Sequence, residues 1–275
     1  VINRHDGFYT DVGYSGVKRM VAVSRDWLMP EELKNTYSGF SIPERDMTDG
    51  SDYRVFLASF QTQWSILVKH LSSIRCWQVG FEWNLDEYLH PLGYEEDKSK
   101  VFTAEEKAAI ITDLMYAASQ GIHFTDKYAT VVMTALAPTG DFDGVSTAAF
   151  LEMIYRNIES GEFGNGSTNP DDYFQVLAWN PIISDAPDDA WAEGIQEVYR
   201  VAQNHGDDGK AVFLSKFGYA DNDDEAAATQ QGEWIAKAYA LVQQKLPFVE
   251  TLFSYRCFRD TGAEASQRTM GLFTD

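Results

Sequence analysis

The chain has 275 residues, 44% hydrophobic and 14% aromatic, which is ample for one large core; a single α/β barrel uses about 250. Its 22 Lys+Arg stand against 42 Asp+Glu, a formal charge of −20, and such a surface repels phosphate backbones, so no nucleic-acid partner is expected. No apolar run reaches the ~18–20 residues of a membrane span, so no membrane partner is expected either. No signal peptide is visible, but the chain opens on Val1, which leaves the cytoplasm and secretion after processing both open.

Residues 1–16 read as the tail of a helix that ends at Gly16, and 17–23 as a strand. Ser24-Arg25-Asp26-Trp27 is a polar-aromatic cluster at its end. Residues 28–50, with Pro30, Gly39, Pro43 and Gly50 and little periodicity, form a long loop; long loops in compact domains are often functional. From Ser51, the residues Tyr53, Phe56, Leu57, Phe60, Trp64, Leu67, Val68 and Leu71 fall on one helical face, a core stripe rather than a ligand box. Residues 75–81 form an apolar strand that runs into Glu82, Trp83 and Asn84, followed by a polar loop over 85–102. Thr103 and Glu106 make a capping box that opens a helix to Gln120, with Gly121 closing it.

Residues 129–137 are the next strand, with Asp141, Asp143 and Gly144 beyond it, then a helix over about 146–159 and a Gly/Asn/Ser-rich loop. A strand at 173–179 ends in Asn180-Pro181, a helix spans 191–204 and stops at Gly206, and a strand at 211–217 leads into Gly218-Tyr219. The acidic run Asp221 to Glu225 lacks the spacing and the glycine of a calcium loop, and a helix N-terminus favours acids in any case. No metal and no cofactor are therefore expected. A helix over 226–245 and a strand over 249–258 complete the pattern. Cys76 and Cys257 each sit in an apolar strand-like run and read as reduced core residues.

Strand, loop, helix, strand, repeated without sequence repeats, is the signature of a parallel sheet with helices outside. The six strand ends gather Trp27, Glu82, Trp83, Asn84, Trp179 and Asn180, and further on Lys216, Tyr219, Tyr255 and Arg256. Folds of this kind place their chemistry at the C-terminal ends of the strands. An apolar surround suits Glu82 for work as a general acid; the plainer alternative is a surface Glu in a strand-to-helix loop. Aromatic rings beside hydrogen-bonding groups suit a saccharide, although the same rings could simply pack the mouth of a barrel.

Over nearly its whole length the chain resembles the clan A glycoside hydrolases, the (β/α)8 enzymes, and most of all the family 39 branch. Trp77 to Asn84 resembles the strand-four signature W-x-V-x-N-E-P-N, whose Glu is the acid/base. Tyr173 to Pro181 resembles strand six, and Val212 to Tyr219 resembles the strand-seven signature V-x-L-T-E-F-G-W, whose Glu is the nucleophile. Ser254-Tyr255 and Gly271 to Phe273 resemble strand eight and its return loop. The resemblance implies a single domain over 1–275: an α/β TIM-type barrel with about six βα units, the first two lacking. It implies an oligosaccharide or glycoside partner and Glu82 as catalytic acid/base. Self-association, or the loop 28–50, is expected to cover the open barrel edge.

The departures carry as much weight. Phe81 stands where the family has Asn, Asn180 where it has His, and Lys216 where it has the nucleophilic Glu. A retaining glycosidase needs two carboxyl groups about 5–5.5 Å apart, and lysine forms no glycosyl ester. Either a loop carboxylate, Asp26, Asp86, Asp221 or Asp260, acts as the partner of Glu82, or the chain is a carbohydrate-binding pseudoenzyme. A scaffold with no sugar site is the third reading, since fold does not fix function.

Overall fold

Side chains that cap helices set where they begin. In the computed structural model, which describes residues 20–23, 29–37, 39–138, 145–183, 185–219, 225–255 and 270, Ser51 accepts a hydrogen bond from the Arg54 N–H and opens helix α1 (Asp52–His70). Thr103 and Glu106 form the expected reciprocal box that opens α2 (Ala104–Thr125). Ser146 caps α3 (Thr147–Ser160), Asp188 caps α4 (Asp189–Asn204), and α5 spans Glu225–Lys245. The strands are β1 (Met20–Val23), β2 (Cys76–Val79), β3 (Thr130–Val132), β4 (Val176–Trp179), β5 (Ala211–Phe217) and β6 (Val249–Ser254). Among the described residues, strands and α-helices alternate from β1 to β6, with two short 3-10 turns (Gly164–Gly166 and Pro170–Asp172) before β4. This is the α/β order of a TIM-type barrel, carried here by six strand units.

The chain divides into two compact units, Val1–Val176 and Leu177–Asp275. In the first, β1, β2 and β3 pair in parallel, Met20 opposite Cys76 and Cys76 opposite Thr130, and β3 meets the start of β4 through Val132 and Val176. A parallel strand covered on both faces reads as a continuous apolar run, and Trp77, Gln78 and Val79 are all buried. The α1 stripe is buried except at Leu57, which is half-buried, and Trp64 stands edge-on to Trp77 at 6.0 Å between ring centroids.

Helix α2 does not stop at Gly121. It continues to Thr125, and the glycine serves close helix packing: a Cβ there would lie 2.2 Å from the Gln61 carbonyl oxygen of α1. Thr125 Oγ1 donates to Ser65 O at 3.1 Å and extends the same contact.

In the second unit β5 and β6 pair in parallel, Val212 opposite Val249. Tyr199 stacks flat on Phe248, centroids 3.9 Å apart, and Tyr239 donates to Leu252 O. Lys245 of α5 meets Asp189 of α4 at 2.6 Å.

Regular pairing is shorter than the apolar runs suggest. The expected strand 75–81 leaves the ladder after Val79, and 129–137 is regular only over Thr130–Val132, with an isolated bridge from Ala135 to Phe81. The expected strand 249–258 is regular to Ser254. Residues 1–16, Asp141, Asp143, Gly144, the run Asp221 to Asp224, Cys257 and Gly271 to Phe273 lie outside the described residues. Cys76 is a half-buried free thiol.

Candidate functional site

The turn that follows β2 is built from two left-handed residues. Gly80 has φ 72° and donates its N–H to Val23 O of β1 at 2.9 Å. Gln78 Nε2 donates to the Gly80 carbonyl from inside the core. Phe81 then bridges to Ala135, and Glu82 takes φ 52° while its N–H donates to Ala135 O at 2.6 Å. A side-chain-bearing residue in this region costs about 1–2 kcal/mol, and such strain gathers at functional sites. The turn closes when Leu85 N donates to Glu82 O. Glu82 is left only 4% exposed.

Trp83 holds the turn from within. A Cβ on residue 80 would strike its indole at 2.3 Å, and the same ring meets Phe60 of α1 at 6.4 Å. The ring is fully buried. Asn84 is spent on the backbone beyond β3: its Nδ2 donates to Ala137 O at 3.0 Å and its Oδ1 accepts from Ala137 N at 2.9 Å.

Lys107, in the first turns of α2 and 1% exposed, supports the next stretch. Its ammonium lies 2.5 Å from Asp86 and donates to Asn84 O at 3.4 Å. A buried charge of this kind persists only when paired. Asp86, one of the loop carboxylates considered as a partner for Glu82, is thus engaged with Lys107.

Two loops of the first unit are tied by backbone. Ser41 bridges His90, Ile42 N donates to His90 O at 3.0 Å, and His90 N donates to Phe40 O at 3.4 Å. His90 Nδ1 lies 2.7 Å from Asp86 O, which assigns the proton to that nitrogen. Phe40, Phe81 and Tyr88 converge there as a triangle of rings, with centroid separations of 5.0–6.5 Å.

Below them, Asp113 of α2 accepts from Arg45 Nε at 2.7 Å and from Tyr53 OH at 3.0 Å. Burial holds the Asp113 carboxyl above its ordinary range, against the pull of Arg45, and burial pushes the Tyr53 phenol well up.

The second unit carries the other expected site residues. Trp179 closes β4 and is buried, its Nε1–H without an acceptor among the described residues. Asn180, also buried, accepts from Ser215 Oγ at 3.0 Å. Half-exposed Lys216 sits 4.8 Å above the Tyr255 ring. Tyr219 packs on Trp234 at 4.4 Å and donates to Gln230, while its carbonyl accepts from Gln231. Gly218 packs against the Tyr255 backbone so closely that a Cβ would lie 2.5 Å from Tyr255 O. Trp27, Arg256 and the carboxylates Asp26, Asp221 and Asp260 lie outside the described residues.

Among the described residues no group of three or more His, Cys, Asp and Glu is placed to hold a metal ion, and no helix is long and apolar enough to cross a membrane. Sequence reasoning passed over Lys107, Phe40 and Tyr88. The signal for Lys107 was a cation in the first turn of a helix, where the dipole disfavours it unless a partner waits. For Phe40 it was the apolar Phe40-Ser41-Ile42-Pro43 segment inside an otherwise polar loop.

No protein-family model and no curated protein sequence matches the chain. Solved structures do match. A glucosidase from Croceicoccus marinus is 15% identical, with a TM-score of 0.62 over 98% of this chain and 49% of its own, so the chain spans about half the length of that protein. A β-glucosidase from Thermotoga maritima in complex with deoxynojirimycin is 12% identical, with a TM-score of 0.61 over 99% of this chain and 72% of its own. A β-glucosidase from Trichoderma harzianum is 12% identical, with a TM-score of 0.57 over 99% and 74%. These likenesses show the fold alone, a TIM-type barrel that this chain shares with those enzymes.

Proposed function

We propose that the chain is a clan A glycoside hydrolase-like protein that acts on O-glycosidic bonds of a saccharide, with Glu82 as general acid/base. The observation that carries this reading is Glu82 itself: a carboxylate at a strand's C-terminal end, buried in a left-handed turn that three neighbouring segments hold in place. A strained, water-shielded carboxyl is what proton transfer to a leaving-group oxygen uses. The deoxynojirimycin complex of the Thermotoga β-glucosidase supports a sugar-like ligand for this fold. The family 39 branch is the finer reading, on the strand motifs. The expected result is that Glu82→Gln lowers the turnover of aryl glycosides at least about a hundredfold. Unchanged turnover would remove the assignment.

A second reading has its own observation. Lys216 occupies the position in β5 where the resemblance expects the nucleophilic carboxylate. A cation there opposes the oxocarbenium-like charge of the transition state, and Asp86 is already paired with Lys107. On this reading the chain binds saccharide without cleaving it. Heat of binding to oligosaccharides, with no release of reducing sugar, separates it from the first.

A further inference from the structure

We infer that Phe40, Phe81 and Tyr88 form a stacking subsite for the apolar C–H face of a sugar ring, at the turn that carries Glu82. The inference rests on the saccharide reading above and says which rings of the first unit meet the sugar. The aromatic residue next to Glu82 that the sequence favours, Trp83, is fully buried against Gly80 and Phe60 and offers no face to a ligand. Phe40, Phe81 and Tyr88 are each half-exposed. Phe81 directly precedes Glu82, and the rings meet edge to face at 5.0 Å for Phe81–Tyr88 and 5.3 Å for Phe40–Tyr88. The three rings stand edge-on to one another rather than stacked, and a ring's electron-rich face attracts the weakly positive C–H groups of a pyranose.

The cluster is more than a seal between loops. The loops that deliver Phe40 and Tyr88 are already joined by the backbone at Ser41 and His90, with two N–H···O bonds. The rings are therefore placed by the main chain and are not required to hold it together. Preplaced rings lose little freedom when a ligand docks, which favours binding. Phe81 also has no polar atom, so this position can recognise a sugar only through its apolar face.

The test uses the full chain carrying Glu82→Gln, so that turnover does not obscure the heats. Calorimetry is run with cellobiose, xylobiose and 4-nitrophenyl β-D-glucopyranoside, with and without Phe40→Leu or Tyr88→Leu. Leucine keeps apolar bulk and removes the ring; thermal melting verifies folding, and either variant alone reads the subsite if the other does not fold. The expected result is affinity weakened about three- to tenfold by each ring variant, for whichever saccharide binds. Tyr128→Leu, an exposed ring just before β3 at 72% exposure, leaves affinity unchanged. If a saccharide binds and both ring variants bind it as tightly as the parent, the subsite is overturned while the saccharide reading stands. If none of the three saccharides binds the parent, both fall together.

Discussion

Lys107, in the first turns of α2 in the first unit, and Lys216, near the end of β5 in the second, are treated by the fold in opposite ways. Lys107 is removed from water, paired with Asp86 and bonded to the Asn84 carbonyl. Lys216 stays half-exposed over the face of Tyr255. The first charge is structural: it fixes the stretch that follows Glu82. The second stays at intermediate exposure, at the position where the proposed sugar-hydrolase reading expects an acid. The difference is one of environment: a cation withdrawn from water is held by a counter-charge, and a cation at partial exposure rests on a ring.

The strongest way to break this contrast is Lys107→Met. It leaves Asp86 without its counter-charge and is expected to cost about 3 kcal/mol of unfolding free energy in urea titrations. On the proposed glycosidase reading, aryl-glycoside turnover falls with it, because the Asn84 segment loses a tether; a loss under about 1 kcal/mol would mean that solvent reaches the pair. Lys216→Met is the matching change in the second unit and should cost less than about 1 kcal/mol by the same titration, as a cation at a half-exposed ring does. An equal cost for the two lysines would erase the contrast.

The smallest effect asks whether burial in the first unit weighs on acids as it does on cations. Burial raises the Asp113 carboxyl above its ordinary value, outweighing Arg45 and Tyr53. The folded state then binds that proton more tightly than the unfolded chain. Its contribution to stability is fully present below the ordinary Asp value and is lost as pH rises through the raised folded value. The stability of the wild type relative to Asp113→Asn should therefore decline from about pH 4 upward, by tenths of a kcal/mol to about 1 kcal/mol. A difference that grows over the same range would mean that Arg45 dominates.

The alternation of strands and helices was legible because its signals are local. Ser51, the Thr103–Glu106 box and Ser146 each cap a helix within four residues of themselves, and the α1 stripe repeats on one face. Gly121 misled because a glycine late in a helix looks like a stop; what it serves is a carbonyl on another helix, 60 residues away in the chain. Glu82 was readable as a strand-end carboxylate, but its left-handed backbone was not. The inward turn of Trp83 follows from that backbone, so its burial was hidden as well. Phe40 and Tyr88 are separated by 48 positions and meet only through the Ser41–His90 bridge, a pairing with no period to detect.

The Gly80–Trp83 contact has an evolutionary corollary. The indole fills the volume that any side chain at position 80 would claim, so the two sites behave as one unit of space. A slimmer residue at 83 would free the space, but the left-handed φ of 72° still strains any side chain at 80. Because Glu82 lies between them, a change at either position shifts its side chain, and lineages of this chain should keep glycine at position 80.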